Sequence, residues 1–190
     1  MTSAPFLTES LRRHVYRLAD EIGERNVFHP LALKEAENYL ADTWQAWGFP
    51  VQRQVYEVEG VPSTNLEVTL PGRDHDQILL VGAHYDSVLG CPGANDNGSG
   101  VAVLLELCRL LQSLSLPRTL RFVAFVNEES PFFFTRRQGS WQYAKTDTAF
   151  YRYSCYHRSC DTPEKLDYER MARVTHGLAG ALRRLSQEGI

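Results

Sequence analysis

Apolar residues recur at helical spacing at both ends of the chain and run unbroken through its middle. Leu11, Val15, Leu18 and Ile22 lie on one stripe that Gly23 stops, which predicts a first helix from Thr8. Pro30, then Leu33, Ala36, Leu40, Trp44 and Trp47 on one face, then Gly48, predict a second. Val51 to Glu59 mixes β-branched and polar residues, and Leu66, Val68 and Leu70 alternate with Asn65, Glu67 and Thr69, as in outer antiparallel strands with one wetter face. After the turn Pro71-Gly72-Arg73-Asp74, the run Ile78 to Ala83 reads as a strand buried on both faces. A helix is predicted from about Ser99 to Leu114, a break at Pro117, and a strand from Leu120 to Val126. Strand, helix, strand in that order implies a parallel, right-handed crossover. At the far end Asp167 is an N-cap for a last helix, whose stripe Met171, Val174, Leu178, Leu182 and Leu185 is expected to pack on the sheet.

Composition narrows the class. The chain has 190 residues, 43% of them apolar, and a net charge of -3, which suits one soluble globular domain. Its 20 Lys and Arg against 23 acids form no basic run, so a nucleic-acid surface is not indicated. Residues Met1 to Phe6 carry no charged and then apolar leader, and no apolar stretch reaches membrane-spanning length. The cysteines, Cys91, Cys108, Cys155 and Cys160, are too few and scattered for a disulfide scaffold. A cytoplasmic protein with no membrane partner is expected. Cys155 and Cys160 also flank His157, so a soft zinc site or a disulfide there stays open.

The chemistry gathers at strand ends. His84 closes the run Ile78 to Ala83, with Asp86 two residues on to hold its imidazole, and ligands in open α/β sheets bind beyond the carboxyl ends of strands. The turn Gly93-Ala94-Asn95-Asp96-Asn97-Gly98-Ser99-Gly100 then places Asp96 at or just before a helix start, where a helix-cap role is the plainer reading. The next strand ends in Asn127-Glu128-Glu129. An imidazole and carboxylates are zinc-binding types, and of a carboxylate pair one can ligate while the other takes a proton from water.

These motifs, His84-Tyr85-Asp86-Ser87, Gly93 to Gly100 and Asn127-Glu128-Glu129, resemble the zinc aminopeptidase family that includes bacterial leucyl aminopeptidases and, as relatives, glutaminyl cyclases. Tyr156-His157 and Asp161 to Asp167 extend the likeness. The resemblance implies a three-layer α/β/α sandwich around a mixed, mostly parallel sheet. It implies one or two zinc ions: His84 on one, Asp96 bridging, Glu129 and His157 completing the second. Glu128 would be the general base and Asp86 the support of His84. The expected activity is hydrolysis of the N-terminal peptide bond of a peptide. Cyclisation of an N-terminal glutamine by a single-zinc site, or a catalytically silent metal-binding remnant, are the alternatives.

The chain departs from that family after Glu129. Residues 130–156 alone separate Glu129 from His157, whereas a strand-helix-strand unit needs about 30 residues. Interior strands, and an acidic ligand of the first zinc, are expected to be lacking. The chain then divides into a helical lead-in (1–48), a sheet core with the metal motifs (49–129), a shortened segment (130–156), and the last ligand with the final helix (157–190). Gly139 to Lys145 could form one short helix, and Phe132 to Phe134 either line a substrate pocket or are displaced core. Strands beside the gap would expose apolar faces or edges, which makes a homodimer an expectation.

Overall fold

Residues 4–144 and 159–187 are described by the computed structural model of the chain. Helix α1 (Ala4–Tyr16) runs into a wider π turn over Arg17–Ile22, and Gly23 ends it at φ 78°. Helix α2 (Pro30–Ala46) starts on a proline, whose missing N–H costs a first turn nothing. Strands β1 (Gln52–Val58) and β2 (Val61–Leu70) form an antiparallel hairpin across Glu59-Gly60, both at positive φ, the conformation that matches strand twist. The alternation from Asn65 onward marks only the second half of β2.

Strand β3 (Asp74–His84), helix α3 (Gly100–Leu111) and strand β4 (Arg118–Phe125) follow as the expected parallel crossover unit. The short helix α4 (Gly139–Ala144) and helix α5 (Tyr168–Gln187) complete the elements. The sheet is mixed and open, in the order β1-β2-β4-β3. Among the described strands β3–β4 is the parallel pair, and both pairings of β2 are antiparallel because a hairpin and a long return feed it.

Register sets the core. Leu66, Val68 and Leu70 of β2 stand opposite Ala124, Phe122 and Leu120 of β4, and Leu79, Val81 and Ala83 of β3 share that face. Leu33, Leu40 and Trp44 of α2 and Leu104, Leu105 and Cys108 of α3 close over it. Each fully buried Leu, Val or Phe among these contributes about 1.5–3 kcal/mol by leaving water. A second cluster joins Leu7, Leu11 and Val15 of α1 to Ala102 of α3 and Ala172 of α5. Its polar centre is buried Glu106, which accepts from Ser10 Oγ at 2.5 Å, lies 3.3 Å from His14 Nε2 and pairs with Arg109. His14 is thus a packing residue, away from the strand ends.

The opposite face is thinly covered by the described residues. Among the described residues α4 alone lies on it, with Tyr143 edge-on to Phe125 and its hydroxyl donating to Glu67. Ile78 and Leu80 point to this side and are 42% and 45% exposed. The expectation that β3 is buried on both faces is therefore corrected. The run is apolar throughout, but β3 is an edge of the described sheet and no helix there stands over Ile78 and Leu80.

Helix α5 also packs differently from its predicted stripe. Asp167 caps it as expected, accepting the Arg170 N–H at 2.8 Å. Its buried side is Ala172 and Thr175, laid against α1 and α3 more than the sheet, while Val174 and Leu178 are half exposed. No helix among the described residues is long and apolar enough to cross a membrane. Cys160 is disulfide-bonded, so its thiolate is not available for a soft zinc site; Cys155 lies outside the described residues. A disulfide persists in oxidising settings, and a cytoplasmic location no longer follows from the cysteines.

Candidate metal centre

Parallel pairing of β3 with β4 brings two chain exits to one edge of the sheet. His84 stands opposite Phe125, and Tyr85 N–H still donates to Phe125 carbonyl at 2.9 Å, so the loops after both strands leave together. From the β3 exit come His84 and Asp86. From the turn Ala94–Ser99 comes Asp96, and from the β4 exit Glu129. Asn127 turns that last exit, at φ 59°, and its amide donates to Ser63 Oγ at 2.8 Å.

One ligand atom each from His84, Asp96 and Glu129 lie within 4.8 Å of one another. His84 Nε2 is 3.1 Å from Asp96 Oδ1, while Nδ1 faces Asp86, 3.3 Å from its carbonyl and 3.5 Å from its carboxylate. An imidazole nitrogen with two carboxylate oxygens is a donor set that zinc accepts. Electrostatics agree with a cation there. Burial pushes the Glu129 carboxyl up to about 8, His84 opposes this, and the neighbouring Asp96 and Asp86 add to it. Burial pulls the His84 imidazole down, but its hydrogen bonds to Asp86 and Asp96 outweigh burial and hold it well above the usual histidine range. A divalent ion placed between these groups would favour the ionised Glu129 carboxylate that burial now opposes. The residues present fit zinc.

Asp86 does more than face His84. Its two carboxylate oxygens accept the N–H groups of Glu128 at 3.2 Å and Glu129 at 3.1 Å, and the residue is 2% exposed. One buried side chain thereby sets the imidazole and the backbone of the acidic pair. Glu128 is not among the three converging groups. Its Oε1 accepts Ser140 N–H at 2.6 Å, and its Oε2 accepts Ser140 Oγ at 2.8 Å and Gln138 Nε2 at 3.1 Å. Burial raises the Glu128 carboxyl above its ordinary value, and the Ser140 donors work against that.

Two further buried groups brace the turn that carries Asp96. Asp161, 0% exposed, accepts the backbone N–H groups of Asn95 and Asp96, both within 3.1 Å. Arg25, also fully buried, donates to the carbonyls of Leu18, Gly23, Tyr85, Pro92 and Gly93. Burial pulls its guanidinium down to about 10, so it stays charged at neutral pH. Reading the sequence missed Arg25, Gln138 and Ser140 as parts of this centre, and used Asp161 only for the likeness it carries. Arg25 lies between two helices with no motif around it, while Gly139-Ser140 breaks the polar run after Phe134 and was the one available signal.

The sequence-predicted residues therefore divide. His84, Asp86, Asp96 and Glu129 come together, Glu128 adjoins them with its carboxylate held by α4, and His157 lies outside the described residues. Phe132 is core, while Phe133 and Phe134 are 39% and 71% exposed. A cavity of about 280 Å³ beside them is lined by Phe28, Glu59, Pro131, Phe132, Thr135 and Arg137.

Residues 65–151 match Peptidase family M28. The uncharacterized protein YfbL of Escherichia coli (strain K12) is 34% identical over 141 residues, 70% of this chain and 43% of that protein. Aminopeptidase YwaD of Bacillus subtilis (strain 168) is 54% identical over 55 residues, 29% of this chain and 12% of that one. This chain thus spans less than half the length of these curated relatives. In fold it is similar to a zinc aminopeptidase from Bacillus subtilis, with a TM-score of 0.79 at 14% identity over 97% of this chain and 96% of that one. The glutaminyl cyclase of Fimbriiglobus ruber superposes with a TM-score of 0.76 at 17% identity, over 93% and 94% of the two chains.

Proposed function

We propose that this chain, which shares its fold and the motifs of residues 65–151 with the zinc exopeptidases of Peptidase family M28, is a zinc-dependent aminopeptidase acting on the N-terminal peptide bond of peptides. The observation that carries this is the convergence of His84, Asp96 and Glu129 within 4.8 Å at the carboxyl edge of the sheet. These three would hold zinc, with His157 as the fourth candidate. Zinc, when bound, supplies a Lewis acid for the scissile carbonyl and for an attacking water. Glu128 takes the proton of that water and returns it to the leaving amine. Three donors from Gln138 and Ser140 hold its carboxylate in one orientation, and those from Ser140 oppose the rise that burial causes, which suits a group that must accept a proton. Asp86 holds His84 with Nε2 turned inward and aligns the backbone of Glu128 and Glu129.

Glu128→Gln tests this. Zinc retained with a hundredfold to about ten-thousandfold loss of leucine p-nitroanilide hydrolysis supports the reading; activity that survives the substitution sinks it. One observation favours a second chemistry: the described ligands suffice for a single ion, and a glutaminyl cyclase shares the fold. Parallel assays on leucine p-nitroanilide and on a peptide with N-terminal glutamine separate hydrolysis from cyclisation. Protein that binds zinc and turns over neither is the silent remnant. We also propose a homodimer through the exposed β3 edge, where Ile78 and Leu80 are 42% and 45% exposed.

A further inference from the structure

We propose that Arg25 is a positioning residue of the metal centre, one that fixes the strand end bearing His84 relative to the turn bearing Asp96. The inference rests on the reading of His84, Asp96 and Glu129 as zinc ligands. It begins from a side chain whose charge has no carboxylate hydrogen bonded to it in the described contacts and whose donors all go to backbone carbonyls.

The bonds have a direction. Nε donates at 2.6 Å to the carbonyl of Tyr85, the residue after His84. Nη2 donates at 3.0 Å to Gly93, and Nη1 to Pro92, just ahead of Asp96. Nη1 also reaches Leu18 and Gly23 at the end of the first helix, at 3.1 and 3.0 Å, which anchors the fork to the helical layer. The Gly93 carbonyl in turn accepts Gly98 N–H at 3.0 Å and closes the turn around Asp96. The backbone of Arg25 is pinned to the same exit: its N–H donates to Ser87 Oγ at 3.1 Å, and its carbonyl accepts Ser87 N–H at 2.9 Å. One rigid plane thus ties together the two ends of the connection from β3 to α3, which no ladder joins, and anchors both to the end of the first helix.

A lysine cannot do this. Its donors radiate from one point on a flexible stem, whereas the guanidinium offers five in a fixed fork and spans acceptors on opposite sides. Space is also matched: a Cβ on Gly93 would lie 3.3 Å from Nη2 and 2.6 Å from the Asp96 carbonyl. Arg25 touches none of the three candidate ligands in the described contacts, so it acts through Tyr85 and Gly93. Loosening either end lets His84 Nε2 and Asp96 Oδ1 drift from the spacing a single ion needs.

The test is zinc titration of the full chain against a chelating dye, with melting temperatures taken zinc-free and zinc-loaded, for wild type and Arg25→Lys. We expect Arg25→Lys to bind zinc at least about tenfold more weakly, the lower bound for removing a ligand's support, and to lose part of the rise in melting temperature that zinc produces. A purely structural arginine would lower both melting temperatures alike and leave that rise unchanged. That result, or wild-type affinity in Arg25→Lys, overturns the inference while the zinc reading stands. Wild type that takes up no zinc overturns both. Should Arg25→Lys not fold, Ser87→Ala, which frees the Arg25 amide at smaller cost, must shrink the zinc-induced rise, and an unchanged rise overturns the inference.

Discussion

Asp86→Asn separates the support of the metal centre from its ligands. The wild-type carboxylate accepts Glu128 N–H at 3.2 Å and Glu129 N–H at 3.1 Å, with His84 Nδ1 3.5 Å away, and 2% of the residue is exposed. Asparagine keeps the shape but presents one oxygen and one NH₂, so one backbone N–H meets a donor. A buried group left unsatisfied costs about 1–3 kcal/mol, and zinc-free protein should lose about 2 kcal/mol in urea unfolding. Losing the carboxylate also removes one of the two Asp86 groups that face the imidazole, the carbonyl staying 3.3 Å away, and zinc affinity should fall about tenfold, the lower end for lost ligand support. One effect runs the other way: without the Asp86 charge, Glu129 ionises more readily, although burial is the larger cause of its raised pKa. Asp86→Ala, which strands both N–H groups, should cost more stability than Asp86→Asn. The measurements are the urea midpoint without zinc and the zinc dissociation constant by dye competition. Wild-type values of both in Asp86→Asn would refute the assignment of these hydrogen bonds as the frame of the site.

Glu106 gives a pH dependence. Burial alone would raise its carboxyl, but hydrogen bonds from His14, Arg109 and Ser10 outweigh it and bring it down to about 2 from 4.5. Because the folded value lies below the unfolded one, its stabilisation, about 3 kcal/mol, is present above pH 4.5 and fades as pH falls toward 2; Glu106→Gln should flatten the urea midpoint over that window. Asp161→Ala strands the Asn95 and Asp96 N–H groups and should weaken zinc binding while leaving the far-ultraviolet circular dichroism unchanged. Gly139→Ala places a Cβ 2.2 Å from Asn65 Oδ1 and 2.5 Å from the Val126 carbonyl, so overpacking of about 1–3 kcal/mol should appear in thermal unfolding. Leu80→Lys on the uncovered face of β3 should convert a dimer to monomer in sedimentation equilibrium; an unchanged sedimentation mass would remove the proposed interface.

The elements were legible because short-range physics sets them. Helical stripes ending at Gly23 and Gly48, the crossover around α3, and the Asp167 cap depend on residues a few places apart, and each recurs in the fold close to its expected limits. The ligand candidates were legible for a related reason. A histidine and a carboxylate at the ends of neighbouring parallel strands must emerge at one edge, so His84 and Glu129 meet as soon as β3 pairs with β4.

What the sequence could not decide was coverage and bracing. Nothing in Ile78 to Ala83 says whether a helix lies over both faces, and the exposed Ile78 and Leu80 follow from strand order, a property of the whole sheet. The stripe on α5 named a rotation that packing against α1 and α3 then changed, since the deepest contact there is made by Ala172 and Thr175. Arg25 is the clearest case. Its role depends on five carbonyls drawn from the end of the first helix, the β3 exit and the glycine turn, and only the folded chain brings acceptors so far apart in sequence within reach of one guanidinium.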